Sequence, residues 1–171
     1  MTSNTNILTQ RTSANPVSVR SISGFTRPAN TSAYAAGDCI FDTVATGVIQ
    51  FDNCGSSGSI TNASVFMLQA VTANLELYLF DAEPTNFGDN TALTLVSGDF
   101  NKLVGVFTLA DSTKKLGAAA VAIYESATQG ALSYTSTGGK LYGVLVTQSI
   151  FSPTSGTAYG AALHLQVDDH I

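Results

Sequence analysis

The sequence predicts an all-β fold: an antiparallel β-sandwich, jelly-roll-like, preceded by an extended N-terminal arm. Three observations carry that expectation. From Tyr34 onward the chain is a succession of short runs rich in β-branched, leucine and aromatic residues. Gly, Asn, Ser or Asp bound each run, and these are the residues of turns. No helix-period segments alternate with the runs, so the βαβ rhythm of a parallel sheet is missing. The length, 171 residues, suits one domain with a sizeable core.

Residues 1–33 are rich in Ser, Thr, Asn and Pro and are expected to form the arm, with 34–171 as the body. Within the arm only "VSVRSI" alternates, as one edge strand would. "DCIFD" and "GVIQF", joined by "TVAT", read as a hairpin. "SITNASVFMLQA" is a long strand whose alternation sets Ile60, Phe66 and Leu68 on one face and Val65 and Met67 on the other. "NLELYLFD" turns Leu75, Leu77 and Leu79 inward and Glu76 outward. "SGDFNKLVG" offers one helical turn, with Ser97 placed as an N-cap. "KLVGVFTLA", "LGAAAVAIYES", "GKLYGVLVTQS" and "TAYGAALHLQV" complete the strands, and the glycines of "TGGK" fit a hairpin turn. In the last strand Tyr159, Ala161, Leu163, Leu165 and Val167 face inward, and His164 and Gln166 outward. The connectivity of these strands does not follow from their sequence.

Charge is scarce and unevenly placed. Charged residues are 11% of the chain, well under the usual figure of about 25%. A polar, weakly charged surface suits contact with other subunits. Arg11, Arg20 and Arg27 are the only arginines, and the first acid is Asp38. Residues 1–37 therefore carry +3, while the remainder is acidic enough to bring the chain to −5. A basic segment beside an acidic body is expected to lie on an acidic surface, its own or a neighbour's. Three arginines without interleaved aromatic residues make a poor phosphate footprint, so no nucleic-acid partner is expected. No run reaches the roughly 20 apolar residues of a membrane span. The opening "MTSNTNILTQRTSANPVSVR" lacks the basic start and apolar core of a signal peptide, which points to a protein made in a cytoplasm.

The residues that invite chemistry fail on spacing. Asp81, Glu83, Asn86 and Asp89 place oxygens along one loop, but an EF-hand needs a glycine where Asn86 stands and a glutamate where Ala92 stands. Paired acids for glycoside cleavage sit across a cleft, whereas these share a loop, and the chain has no tryptophan to stack a sugar. His164, Asp168 and His170 make a thin metal set. Cys39 and Cys54 lack CxxC spacing and read as two reduced thiols, with a disulfide between them as the lesser alternative. Neither a GxSxG elbow nor a phosphate-cradling glycine loop occurs. No metal, cofactor or catalytic residue is expected. The loop "LYLFDAEPTNFGDN" reads as a shaped turn, with Asp81 and Pro84 fixing the strand exit and Asp89 and Asn90 accepting hydrogen bonds from backbone amides.

Four stretches carry a resemblance: "YAAGDCIFD", "SGSITNASVFM", "LELYLFDAEPTNFGDNTALTLVSGDFNKLVGVF" and "GKLYGVLVTQSIFSPTSGTAYGAALHL". Together they resemble the head decoration (cement) proteins of tailed phages, especially those of aquatic bacteria and cyanobacteria. The matching positions are Tyr34, Ala36, Gly37 and Asp38; Leu79, Phe80, Asp81 and Pro84; Asp89 and Asn90; and Asp99, Lys102 and Gly105. The likeness spans roughly residues 31–166. It departs from the pattern at Cys39 and in the insertion-like "FDNCGSSGS".

What the resemblance implies is a non-enzymatic β-sandwich module, commonly a homotrimer, on the outer surface of the virion capsid. Such a module clamps neighbouring copies of the major capsid protein. On that expectation Arg11, Val17, Val19, Arg20, Ile22, Phe25 and Arg27 are the capsid or inter-protomer contacts of the arm. The other expectation is a carbohydrate- or receptor-binding β-sandwich on the virion surface, stacking sugars on Tyr78, Tyr124, Tyr134, Tyr142 or Tyr159.

Overall fold

The computed structural model describes residues 17–42, 47–69, 71, 73–85, 87–109, 114–116, 121–126 and 130–168. In chain order the elements are β1 (Val17–Thr26), β2 (Cys39–Ile40), β3 (Ile49–Phe51), β4 (Ser57–Met67), β5 (Leu75–Phe80), α1 (Ser97–Phe100), β6 (Leu103–Leu109), β7 (Lys114–Leu116), β8 (Val121–Glu125), β9 (Leu132–Thr135), β10 (Leu141–Thr147) and β11 (Ala158–Val167). Every strand pairing is antiparallel. One sheet runs β1-β11-β4-β8-β7, with β9 also on β4; the other runs β2-β10-β5-β6, with β3 also on β10. β2 with β3, and β8 with β9, each form one interrupted strand, since each pair runs in one direction along a shared neighbour; β7 is a hairpin partner at the sheet edge, and without it eight strands remain in two sheets. Their order is that of a jelly roll. Among these eight, each connection crosses between the sheets except β5 to β6, which stay neighbours.

The core lies between the two inner faces. β5 contributes Leu75, Leu77 and Leu79, and β11 contributes Tyr159, Ala161, Leu163, Leu165 and Val167, all buried in the predicted alternation. Phe51, Phe107 and Leu145 fill the space opposite. Inward and outward side chains alternate because successive Cβ atoms leave a strand on opposite sides.

Local readings are corrected at three places. β4 does not alternate simply: its register against β11 shifts between His164 and Leu165, pairing Asn62 with His164 but Ile60 with Leu165. Thr61 is the extra residue, and its hydroxyl donates to His164 O at 3.0 Å. The bulge places Ile60 inward with Val65 and Met67, while Phe66 and Leu68 point outward. Second, β2 and β3 are not a hairpin, since both pair antiparallel with β10 and therefore run in one direction. Third, Gly138 and Gly139, both with φ of 70°, turn the chain from β9 into the opposite sheet rather than closing a hairpin. The edge strand expected at residues 17–22 is present within the first 33 residues and is longer. Val17–Thr26 is a ten-residue strand of the sandwich, in register with β11 along its whole length.

Candidate functional site

The connection between β5 and β6, residues 81–102, is long because it forms a third layer. Strands β5 and β10 present Phe80, Val144 and Val146 on the outer face of their sheet, beside Cys39 and Phe41. The excursion lays Phe87, Leu93 and Leu95 over them, and Tyr78, Tyr142 and Leu103 close the margin of this second apolar cluster. The base of the excursion is closed by Asp81 N, which donates to Lys102 O at 2.9 Å. Asp81 thus contributes its backbone, not its carboxylate, to the strand exit, and Pro84 is buried beside it.

The far end is pinned by a buried ionic cluster. Asp89 Oδ1 accepts from Tyr34 Oη at 2.6 Å and from Phe41 N at 3.0 Å. Its Oδ2 accepts from Arg27 Nη2 at 3.3 Å, and that nitrogen also donates to Asn30 Oδ1. Arg27 Nε donates to Tyr34 Oη, so the tyrosine bridges the ion pair. Arg27 is 1% exposed, which removes it from the surface contacts expected of the arm. Its positive charge finds an acidic surface after all, within its own chain. Burial and the Asp89 carboxylate push the Tyr34 hydroxyl well above the ordinary tyrosine range, keeping it a proton donor.

Asn90 corrects another expectation. It takes φ of 57°, a left-handed conformation that asparagine tolerates. Its side chain serves as a donor, not an acceptor: the amide nitrogen reaches Ala33 O and Asp38 Oδ2, each at 3.1 Å. Backbone bonds from Asn90 N to Cys39 O, Cys39 N to Thr91 O and Leu93 N to Gly37 O complete the seam. Asp89 and Asn90 therefore tie three pieces of chain together: the end of β1, residues 33–41, and the excursion.

A second carboxylate organises the tip. Asp99 is buried; its Oδ1 accepts from Thr85 N and Thr85 Oγ1, and its Oδ2 accepts from Val96 N at 3.2 Å. The helical turn is thus capped from its third residue, whereas Ser97 is helical rather than the cap. Lys102 Nζ lies 3.7 Å from Asp99 and donates to Glu83 O at 2.8 Å. Burial works to raise the Asp99 pKa, but the Thr85 and Val96 amides, the Thr85 hydroxyl and Lys102 outweigh it and leave the carboxyl below 3.8. A carboxyl depressed on folding adds stability above its unfolded pKa and loses it as pH falls through the folded value. Melting temperature should therefore drop as pH falls below about 5, and drop less in Asp99→Asn. Equal acid slopes in thermal melts of the two proteins would contradict this.

The other candidates are dispersed. Val19 and Phe25 face inward from β1, with Phe25 edge-on to Tyr159 at 5.6 Å. Arg20 and Ile22 face outward; the Arg20 guanidinium sits 5.8 Å over the Phe66 ring, Ile22 is 59% exposed, and Val17 is exposed at the strand start. Arg11, Asn86 and His170 lie outside the described residues. His164 is an exposed residue of β11. Cys39 and Cys54 are free and buried, and burial raises the Cys39 thiol to about 12. Among the described residues no three His, Cys, Asp or Glu side chains gather as metal ligands. Tyr124, Tyr134 and Tyr159 are buried, leaving only Tyr78 and Tyr142 near the surface for stacking.

Sequence reasoning missed the Arg27–Tyr34–Asp89 cluster because its members lie up to 62 positions apart. It also passed over Val96 and Phe100, which the capped turn holds out to solvent at 47% and 60% exposure. One available signal was the density of apolar residues in a loop longer than most connections. Fold and site together define a jelly-roll β-sandwich with one outer face roofed by a pinned excursion. No protein-family model and no curated protein matches the chain.

Proposed function

We propose that this chain is a structural virion protein. It sits on the outer surface of an icosahedral phage head, bridges neighbouring major capsid subunits and lowers the free energy of the assembled shell. It acts as a homo-oligomer, a trimer on the strength of the resemblance, and performs no catalysis. The observation that carries this reading is the excursion: a loop pinned at one end by a buried ion pair and at its tip by a buried carboxylate, presenting Val96 and Phe100. Pre-ordered apolar side chains bind with little entropy cost, which is what a clamp between subunits needs. Few surface charges suit the same task. The carbohydrate- or receptor-binding alternative is left with Tyr78 and Tyr142.

Purified particles test the reading. Mass spectrometry and cryo-electron microscopy should find this chain in many ordered copies on the head. A few copies at the tail would overturn it. The informative truncation removes residues 2–16, because a cut at residue 28 would take away β1 and Arg27 with it. The shortened chain should remain folded and occupy heads poorly; unchanged occupancy would remove the N-terminal segment from the contact.

A further inference from the structure

We propose that the free edge of β1 receives residues 7–11 of a second copy of this chain as an added antiparallel strand. Among the described residues β1 is the end strand of its sheet and pairs only with β11. Along its other edge, no backbone group bonds to another described residue. It is ten residues long, holds no proline and carries one charge, Arg20. Edges are ordinarily protected by short length, proline, bulges or several charges, and β1 has none of these. An unprotected edge of this length is a template for strand addition, in which the main chain supplies affinity and side-chain pockets supply register.

The flank of that edge is both acidic and indented. Ser21 Oγ donates to Asp52 O at 2.6 Å, so Asp52 stands beside the middle of the strand. The Asp52 carboxylate is exposed, reached by Gln50 at 2.8 Å and by Lys140 only at 4.0 Å. Toward the end of β1 a cleft of about 80 Å³ opens between Gly24, Phe25, Phe41, Asp42 and Ile49. The edge thus asks for an extended segment with a cation and an aliphatic side chain on one face.

Residues 7–11, Ile-Leu-Thr-Gln-Arg, meet that requirement. Ile7, Thr9 and Arg11 share a face. An antiparallel register that sets Thr9 opposite Ser23 also sets Arg11 opposite Ser21, beside Asp52, and Ile7 opposite Phe25, at the cleft. No acid precedes Asp38, so nothing in the segment opposes Asp52 or Asp42.

The donor is a second copy because of where β1 begins. In this register, pairing with its own strand would put the chain reversal at residues 15–17. Val17 is already extended in β1 and paired with Val167, so the reversal has no room there. The five residues between Arg11 and Val17 can span at most about 18 Å, enough to reach the β1 of an abutting neighbour. Donation from each copy to the next is a head-to-tail contact, which closes into a ring when the rotation allows. The inference rests on reading residues 1–16 as a contact segment, and not on which particle the protein joins.

Cross-linking tests it in the full-length chain. Directly opposed residues of an antiparallel pair lie about 4.5–5.5 Å apart at Cα, within disulfide range. Thr9→Cys chains mixed with Ser23→Cys chains and oxidised should give a disulfide-linked heterodimer in non-reducing mass spectrometry. The native thiols are buried and do not compete. Thr5→Cys in place of Thr9→Cys should give none. Removing residues 2–16 should lower the native mass to that of a monomer while the melting transition remains. No heterodimer, or a double variant that closes within one chain at high dilution, would overturn the proposal, as would an unchanged native mass. Heads lacking the protein would sink the decoration reading and leave the cross-link standing.

Discussion

Replacing Asp89 by alanine should lower the unfolding free energy by about 3–5 kcal/mol, the range for removing one member of a buried ion pair. The cause is the group left behind. Without Asp89, the Arg27 guanidinium is buried with no counter-charge among its present partners, and Tyr34 Oη and Phe41 N lose their acceptor. Among the described residues Arg27 Nη1 already lacks a hydrogen-bond partner, so little spare capacity exists there to absorb the change. Asp89→Asn should cost less, because an amide oxygen can still accept from Tyr34 and Phe41. Exchanging both partners, Arg27→Met with Asp89→Leu, should cost less than Asp89→Ala alone, since no charge is then stranded. Urea unfolding of the variants gives this order directly. A chelator should leave the melting temperature of the native protein unchanged, because the carboxylate serves an arginine and not a metal ion. A double variant as damaged as the single would show that the ion pair is not the source of the loss.

Legibility in the sequence followed the range of the interaction. Leu75, Leu77 and Leu79 could be placed from their own spacing, and so could Tyr159 to Val167, because strand alternation is local. The single turn at Ser97–Phe100 was visible for the same reason. The face of Ile60 was not, since one inserted residue at Thr61 reverses the alternation and no local pattern marks it. Neither was the relation of β2 to β3, which is set by a shared neighbour, β10, far along the chain. Of the candidate site, the role of Asp89 as an acceptor for a backbone amide was readable from turn chemistry. Its partner Arg27 is expected at a contact because it belongs to the basic N-terminal segment, and burial against an acid 62 positions away leaves no trace in either neighbourhood.

Phe80→Ala should cost about 3–5 kcal/mol, and its effect should be local before it is global. Phe80 is fully buried, yet it points away from the main core. It belongs with Phe41, Phe87 and Val144 to the cluster that holds the excursion on the sheet. Truncation leaves a cavity under the roof while the Leu75, Leu77 and Leu79 face of the same strand stays packed. Amides of residues 87–95 should therefore lose hydrogen-exchange protection first, and proteases should cut within 81–102 while β10 and β11 remain protected. Leu77→Ala, which opens the inner core, should cost about 2–5 kcal/mol without singling out the excursion. If protection falls equally everywhere in Phe80→Ala, the two clusters unfold as one and the roof has no independent stability. If it falls first over the excursion, then Val96 and Phe100 lose their fixed positions while the sandwich stands. Head binding should then fail at temperatures where circular dichroism still reports an intact β fold. That separation would place the binding function in the roof and the stability in the sandwich beneath it.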